Sequence, residues 1–442
     1  MVSPSLRKQN SEKLGVGLRR LATTRHGLRS KLLWVGLALQ ALTPDSLPAA
    51  DAHPVFDLKH SSQSLEEQPA SWTAQPGPWG TITIKSTYLE APPALIELAP
   101  KPDQIPIWRF PGWTLAAIRD LLGKAGLSAA EQAVLLDSSN VRHEILGPVL
   151  LPPPALLIEL APAARQIIYE ELAKLPPNSF HATPLPLPGN VDDWLLESKL
   201  SPLQRILFKK LLWTRGSCHV FSDLSLLINQ ATSASEIAAA ISSQTRVQSL
   251  VASIRVPSLE QAESVLEYWR ANRANSHVMP FFRSAIGREG VSEIDLIYLL
   301  PRLARARLFT YPTLTDAIGG KMPDCHWTAV NFFAINYQPY YLDGRSGFID
   351  LLGNYNSIPE PTQLGDLICF IRKDGTVAHS CVLVADDIVF TKNGVQVFSP
   401  WVLLRFSAVA AIYNHDGVNQ LAFFRSKEVI QNNADKSGRS QS

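Results

Sequence analysis

The chain has 442 residues, 46% apolar and 18% charged, enough to bury a sizeable core and to fill two or three domains. Its formal net charge is +2, but residues 1–52 hold 8 basic against 3 acidic side chains, leaving 33 basic and 36 acidic in the rest. A slightly acidic body excludes a polyanion binder, so no nucleic-acid partner is expected.

The basic start runs from Arg7 to Lys31 and meets the apolar stretch Leu32–Leu42. Eleven residues are too few to span a bilayer but suit the hydrophobic part of a signal peptide, and Ala50-Asp51-Ala52 offers a small-x-small cleavage site. Residues 1–52 are therefore expected to be a signal peptide or anchor, giving an extracytoplasmic protein with no stable membrane span after cleavage. Residues 53–105 are rich in Pro, Ser and Gln, with one alternating segment, Thr81–Lys85. They are expected to form a linker with little structure of its own.

Residues 106–310 carry helix signals, and a mainly helical domain of unknown role is expected. Thr114–Ala125 is periodic and stops at Gly126; Ser128-x-x-Glu131 is a capping box; Ser201-Pro202 opens another helix. Ser233-x-x-Glu236 and Ser258-x-x-Gln261 suggest two more starts, and Leu250–Val256 between them suggests a strand or buried turn. The segment Pro92–Pro100 recurs at Pro153–Pro162, but two imperfect copies do not make a solenoid.

From about Tyr311 the texture changes to aromatics, glycine turns and short apolar runs. Leu367–Ile371, Lys373-Asp374-Gly375 and Ala378–Ala385 predict a hairpin with an Asp-Gly turn. Asp386-Asp387 turns the chain into Ile388–Thr391, and Asn393-Gly394 turns it again. One helix followed by a small antiparallel meander makes residues 311–425 an α+β unit, with 426–442 a polar, disordered tail.

Four cysteines, Cys218, Cys325, Cys369 and Cys381, with no C-x-x-C pair, exclude a disulfide scaffold and a zinc ribbon. Cys369 and Cys381 fall on neighbouring strands, where an oxidising compartment would join them, although two buried thiols are the simpler expectation. Cys325 differs. Asp324 is a good N-cap, and Ala329, Val330, Phe332, Phe333 and Ile335 give the helix behind it an apolar face. That sets Cys325 at the first helical position, where free amides favour a thiolate. His379 begins an apolar strand and suits a general base and acid. The third residue, orienting that imidazole, should come from the next strand: Asn393 has the better chemistry and Thr391 is the alternate, because a one-residue slip reverses the faces. Beside the nucleophile, His326 and Trp327 are expected to line the cleft with Asp324. Trp327, Tyr340, Tyr341 and Trp401 suit either a stacking surface or simple packing. Asp366 after Gly365 is expected to be a turn carboxylate with a structural hydrogen bond. No metal or cofactor is expected.

Pro323-Asp324-Cys325 with its apolar helix, Pro361–Phe370 and the later His379 together resemble the NlpC branch of the papain-like cysteine peptidases, over about residues 311–425. The resemblance implies a papain-like domain with the helix packed on a small antiparallel sheet. It also implies a Cys nucleophile, a His base and a polar third residue, and an exported hydrolase cutting amide bonds in peptidoglycan stem peptides or a related peptide-like substrate. The family usually has Ser-Gly after the cysteine and often a His as third residue; this chain has His326-Trp327 and Thr391 or Asn393. A non-catalytic binding or scaffold protein keeping the same fold is the alternative.

Overall fold

The computed structural model describes Phe56, Leu58 and residues 71–98, 102–103, 105–317, 320–335, 347, 351, 353–415 and 417–427. The expected signal segment, Tyr340, Tyr341 and nearly all of the expected tail lie outside these residues. Helices and antiparallel sheets occur together, so the protein is α+β.

The capping signals in the helical part act locally and mostly hold. Thr114 caps Leu115–Lys124, and Gly126 follows at φ +82°. Both halves of a capping box form at Ser128/Glu131 and at Ser201/Gln204, and Ser233 caps Ala234–Ser243. Ser258 does not cap a helix: residues 258–261 make a turn, and the helix Ala262–Arg270 starts after it without a side-chain cap. The echoed segments each become a short helix with Pro in its first turn, Pro93–Ile96 and Pro154–Glu159.

Two expectations are corrected. The stretch taken for a linker contains the strand Ile82–Leu89, which pairs along its whole length with Val247–Arg255; Ser71–Thr73 and Glu293–Asp295 extend this into a four-stranded sheet. The middle region is also less purely helical than its caps suggested. It holds two three-stranded sheets, built from Trp108–Arg109, Gly147–Leu150 and Val141–Glu144, and from Leu185–Leu187, Cys218–Phe221 and Trp213–Arg215. Strands of two to four residues, two of them carrying Pro, leave too little alternation to be legible.

The largest sheet has six antiparallel strands in the order Tyr355–Ile358, Val418–Ser426, Leu367–Arg372, Val377–Ala385, Ile388–Lys392 and Trp401–Arg405. Gly375 supplies the positive φ of the expected Asp-Gly turn, and Asp386 sits at φ +52° in the next. Both faces of this sheet are covered, which explains its continuous apolar runs. Ile368, Phe370, Cys381, Val389, Val402 and Leu404 belong to a core shared with the helical region. Their alternates Leu367, Cys369, Val382, Val384, Phe390 and Leu403 belong to a second core with Trp269, Phe282 and the four-stranded sheet. Both cores cross residue 310. The edge strand Trp401–Arg405 meets the four-stranded sheet through Ser249, whose hydroxyl donates to the Leu403 carbonyl and accepts from the Leu403 amide.

Candidate active site

Asp324 stops the chain in an extended conformation (φ −116°, ψ −170°) and starts the helix Cys325–Val330. Its Oδ1 accepts from the Trp327 amide at 2.7 Å, and its carbonyl accepts from Thr328 Oγ1 at 2.7 Å. The helix lies on the second-core face of the six-stranded sheet, anchored by Trp327, Ala329 and Phe332. Trp327 is therefore not a cleft residue, because at 1% exposure it is packed beneath the helix. Trp401 is buried too, its indole donating to Thr328 Oγ1 at 2.9 Å. The bulk that the sequence sets beside the nucleophile thus reduces to His326.

Cys325 keeps 6% of its surface exposed. Burial alone would push its thiol up. The positive charge of His326, then that of His379, and the hydrogen bonds both rings offer to sulfur reverse this and bring it down to about 5. Burial would likewise lower His326; the Cys325 thiolate outweighs it, with Asp324 adding to the effect, and holds the imidazole up at about 9. A helix of six residues has a small dipole, so the two imidazoles hold the thiolate more than the helix does. His326 Nδ1 also bonds Ser380 Oγ at 2.9 Å, and that hydroxyl reaches Cys369 Sγ at 3.5 Å.

His379 approaches from the other side. Strand alternation sets it with Phe370, and its ring stacks on Tyr413 with centroids 4.0 Å apart and planes 12° from parallel. The ladder between its strand and Ile388–Lys392 covers Val382–Ala385 against Ile388–Phe390, so the strands have parted by the level of His379 and Thr391. In that gap the helix-borne thiol and the imidazole come within electrostatic reach. Nε2 of His379 pairs with Thr391 Oγ1 at 2.9 Å, which leaves the buried Nδ1 as the ring nitrogen that can serve the Cys325 sulfur.

Thr391, and not Asn393, therefore meets the imidazole. Asn393, which its amide favours, lies past the end of the strand, where its Oδ1 is buried without a hydrogen-bond partner among the described residues, beside a cavity. Between the two, Lys392 is fully buried with its amine donating to the carbonyls of Gly394 (2.6 Å) and Gln396 (3.2 Å). Burial lowers it to about 8, against the upward pull of Cys325 and Asp324. The sequence offered one cue to it, a lysine closing a short strand that opens with three apolar residues.

Asp366 fulfils its structural role: it accepts the amides of Thr362 and Gln363 and is gripped by Arg425, with Nε and Nη2 at 2.7 and 2.6 Å. Gly365 before it has φ +95°, and a Cβ there would come within 2.1 Å of the Phe333 ring. Cys369 and Cys381 are free thiols on opposite faces of the sheet, which keeps them from bridging. Burial raises Cys369 to about 11 and pushes Cys381 well up as well.

Among the described residues, no cluster of three or more His, Cys, Asp or Glu could hold a metal ion, and no helix is long and apolar enough to cross a membrane. No protein-family model, curated protein or solved structure matches the chain.

Proposed function

We propose that the chain is a cysteine hydrolase that cleaves an amide bond, peptide or isopeptide. The observation that carries this is a nearly covered thiol held down to about 5 between two imidazoles, one of them fixed through its far nitrogen by Thr391. In this reading His379 takes the Cys325 proton, and the thiolate attacks the substrate carbonyl carbon. The first-turn amides of Cys325 and His326, which have no intrahelical acceptors, receive the oxyanion. His379 then protonates the departing nitrogen, leaving a thioester. Water attacks the thioester and gives its proton to His379, and the carboxylic acid leaves as the thiol is restored. His326 is charged while the thiolate stands beside it and stabilises the sulfur anion.

The order of the Asp-Cys helix, the Gly-Asp-Leu strand and His379 supports placement near the NlpC branch of the papain-like peptidases. The basic-then-apolar N-terminus supports export, and together they point to peptidoglycan stem peptides as a substrate to try first. A non-catalytic module is favoured by one observation, the 0% exposure of His379. Alkylation at pH 6, read residue by residue by mass, separates the readings. A hydrolase has Cys325 far more reactive than free cysteine, and purified peptidoglycan or simple peptides are cut only when Cys325 is present. A Cys325 no faster than free cysteine sinks the hydrolase.

A further inference from the structure

A cavity of about 430 Å³ lies where the helical region meets the first-core face of the six-stranded sheet. It falls within the ~300–1,000 Å³ range of small-molecule sites, and a dry space of ~150 Å³ already admits benzene. Phe180, Val220, Leu224 and Ile241 line it from the helical region, Leu404 and Ile412 from the sheet side. Two further wall residues tie it to the site: Tyr413, whose ring stacks on His379, and Asn393, two positions beyond the Thr391 that holds the same imidazole. Among the described residues the Asn393 Oδ1 is buried without a hydrogen-bond partner, and a buried acceptor favours a donor. Of the charged groups, Arg215 reaches the wall with Nη1 donating to the Ala182 carbonyl at 3.2 Å.

We propose that this cavity is a substrate pocket for an uncharged hydrocarbon group attached next to an amide, with the Asn393 side chain turning into it so that Oδ1 accepts that amide's N–H. The proposal rests on the hydrolase reading and narrows it: one branch of the substrate is apolar rather than a charged stem-peptide side chain. A hydrocarbon seated there packs against Tyr413, one ring away from the general base. Its walls give the recognition that the nearly covered thiol cannot give by itself.

N-methyl-, N-butyl- and N-octyl-iodoacetamide, in which the Cys325 thiolate displaces iodide, test this on the full chain. The octyl rate should exceed the methyl rate at least tenfold, since each buried methylene favours binding roughly threefold to fourfold. Ile241 is half-buried in the last turn of Ala234–Ser243. Ile241→Trp should bring the octyl-to-methyl ratio close to one, and Ile241→Ala should shift the preference to longer chains. A flat series in the native protein, or one equally steep in Ile241→Trp, overturns the proposal. Calorimetry of N-octylacetamide with Cys325→Ala protein decides it independently of reactivity. Binding that Ile241→Trp removes supports the pocket even if Cys325 proves inert and the hydrolase reading fails; no binding overturns it even if Cys325 proves reactive.

Discussion

Two histidines withdrawn from solvent to different degrees, one in each half of the molecule, have opposite fates. His181, in the helical region, packs edge-on against Tyr169 at 4.4 Å, and burial alone drives it down to about 3, so it is neutral. His326 is half-buried, and the Cys325 thiolate holds it up at about 9. The thiols repeat the contrast: burial raises Cys218 to about 12, whereas Cys325 falls to about 5. Burial makes a side chain neutral unless a partner of opposite charge is buried with it, and the pair at Cys325 titrates as a unit. A charged site inside this protein therefore requires an assembled set of groups; near His181 the buried Arg165–Asp223 pair engages Tyr169 and leaves the imidazole without a charged partner among the described residues.

The sharpest break of that contrast is removal of the thiol. Cys325→Ala should cost roughly 10³-fold or more in hydrolysis and abolish alkylation at pH 6, while Cys218, Cys369 and Cys381 stay unmodified in the native protein. Residual labelling at any of those three would show that burial does not silence them. Next in size is His326→Gln, which removes the nearest positive charge. In the native protein the alkylation rate rises as pH passes about 5, because the depressed thiol loses its proton there and is protonated below it. In the variant this midpoint should move up by at least one pH unit, toward the ~8.5 of a free cysteine. An unmoved midpoint would mean that His379 alone holds the thiolate.

What the sequence made legible was local. Ser128, Ser201 and Ser233 announce their helices because each cap is satisfied within three residues, and Asp324 announces Cys325 in the same way. The Leu367–Arg372 and Val377–Ala385 hairpin was legible from its Asp-Gly turn. Illegible features depend on distant partners. The strand Ile82–Leu89 is defined by Val247–Arg255, and Asp366 is held by Arg425, 59 residues away. Register decided between Asn393 and Thr391, and the parting of two strands that decided it leaves no trace in residue order. The charge on His326 was hidden because adjacency in sequence says nothing of where a ring points.

A smaller effect sharpens the His379 side. Thr391→Val keeps the shape and removes the partner of Nε2, and a neutral hydrogen bond of about 0.5–1.5 kcal/mol corresponds to roughly a twofold to tenfold loss in kcat. Thr391→Ser should restore most of it. Asn393→Ala should instead raise KM without moving the pH profile, and a profile that moves would return Asn393 to the imidazole.

The least effect is expected from His181→Phe. Its Nε2 is buried without a hydrogen-bond partner among the described residues, and its ring is already neutral. Replacing it with an apolar ring gives up no partner and keeps the edge-on contact with Tyr169, so stability by urea unfolding should change by less than about 1 kcal/mol. The same substitution at His326 would strand a thiolate and leave Ser380 Oγ without its imidazole, so His326→Phe should raise the alkylation midpoint as the glutamine does. If His181→Phe proved the costlier change in both stability and thiol reactivity, the charge-pair account of the difference between the two histidines would fail.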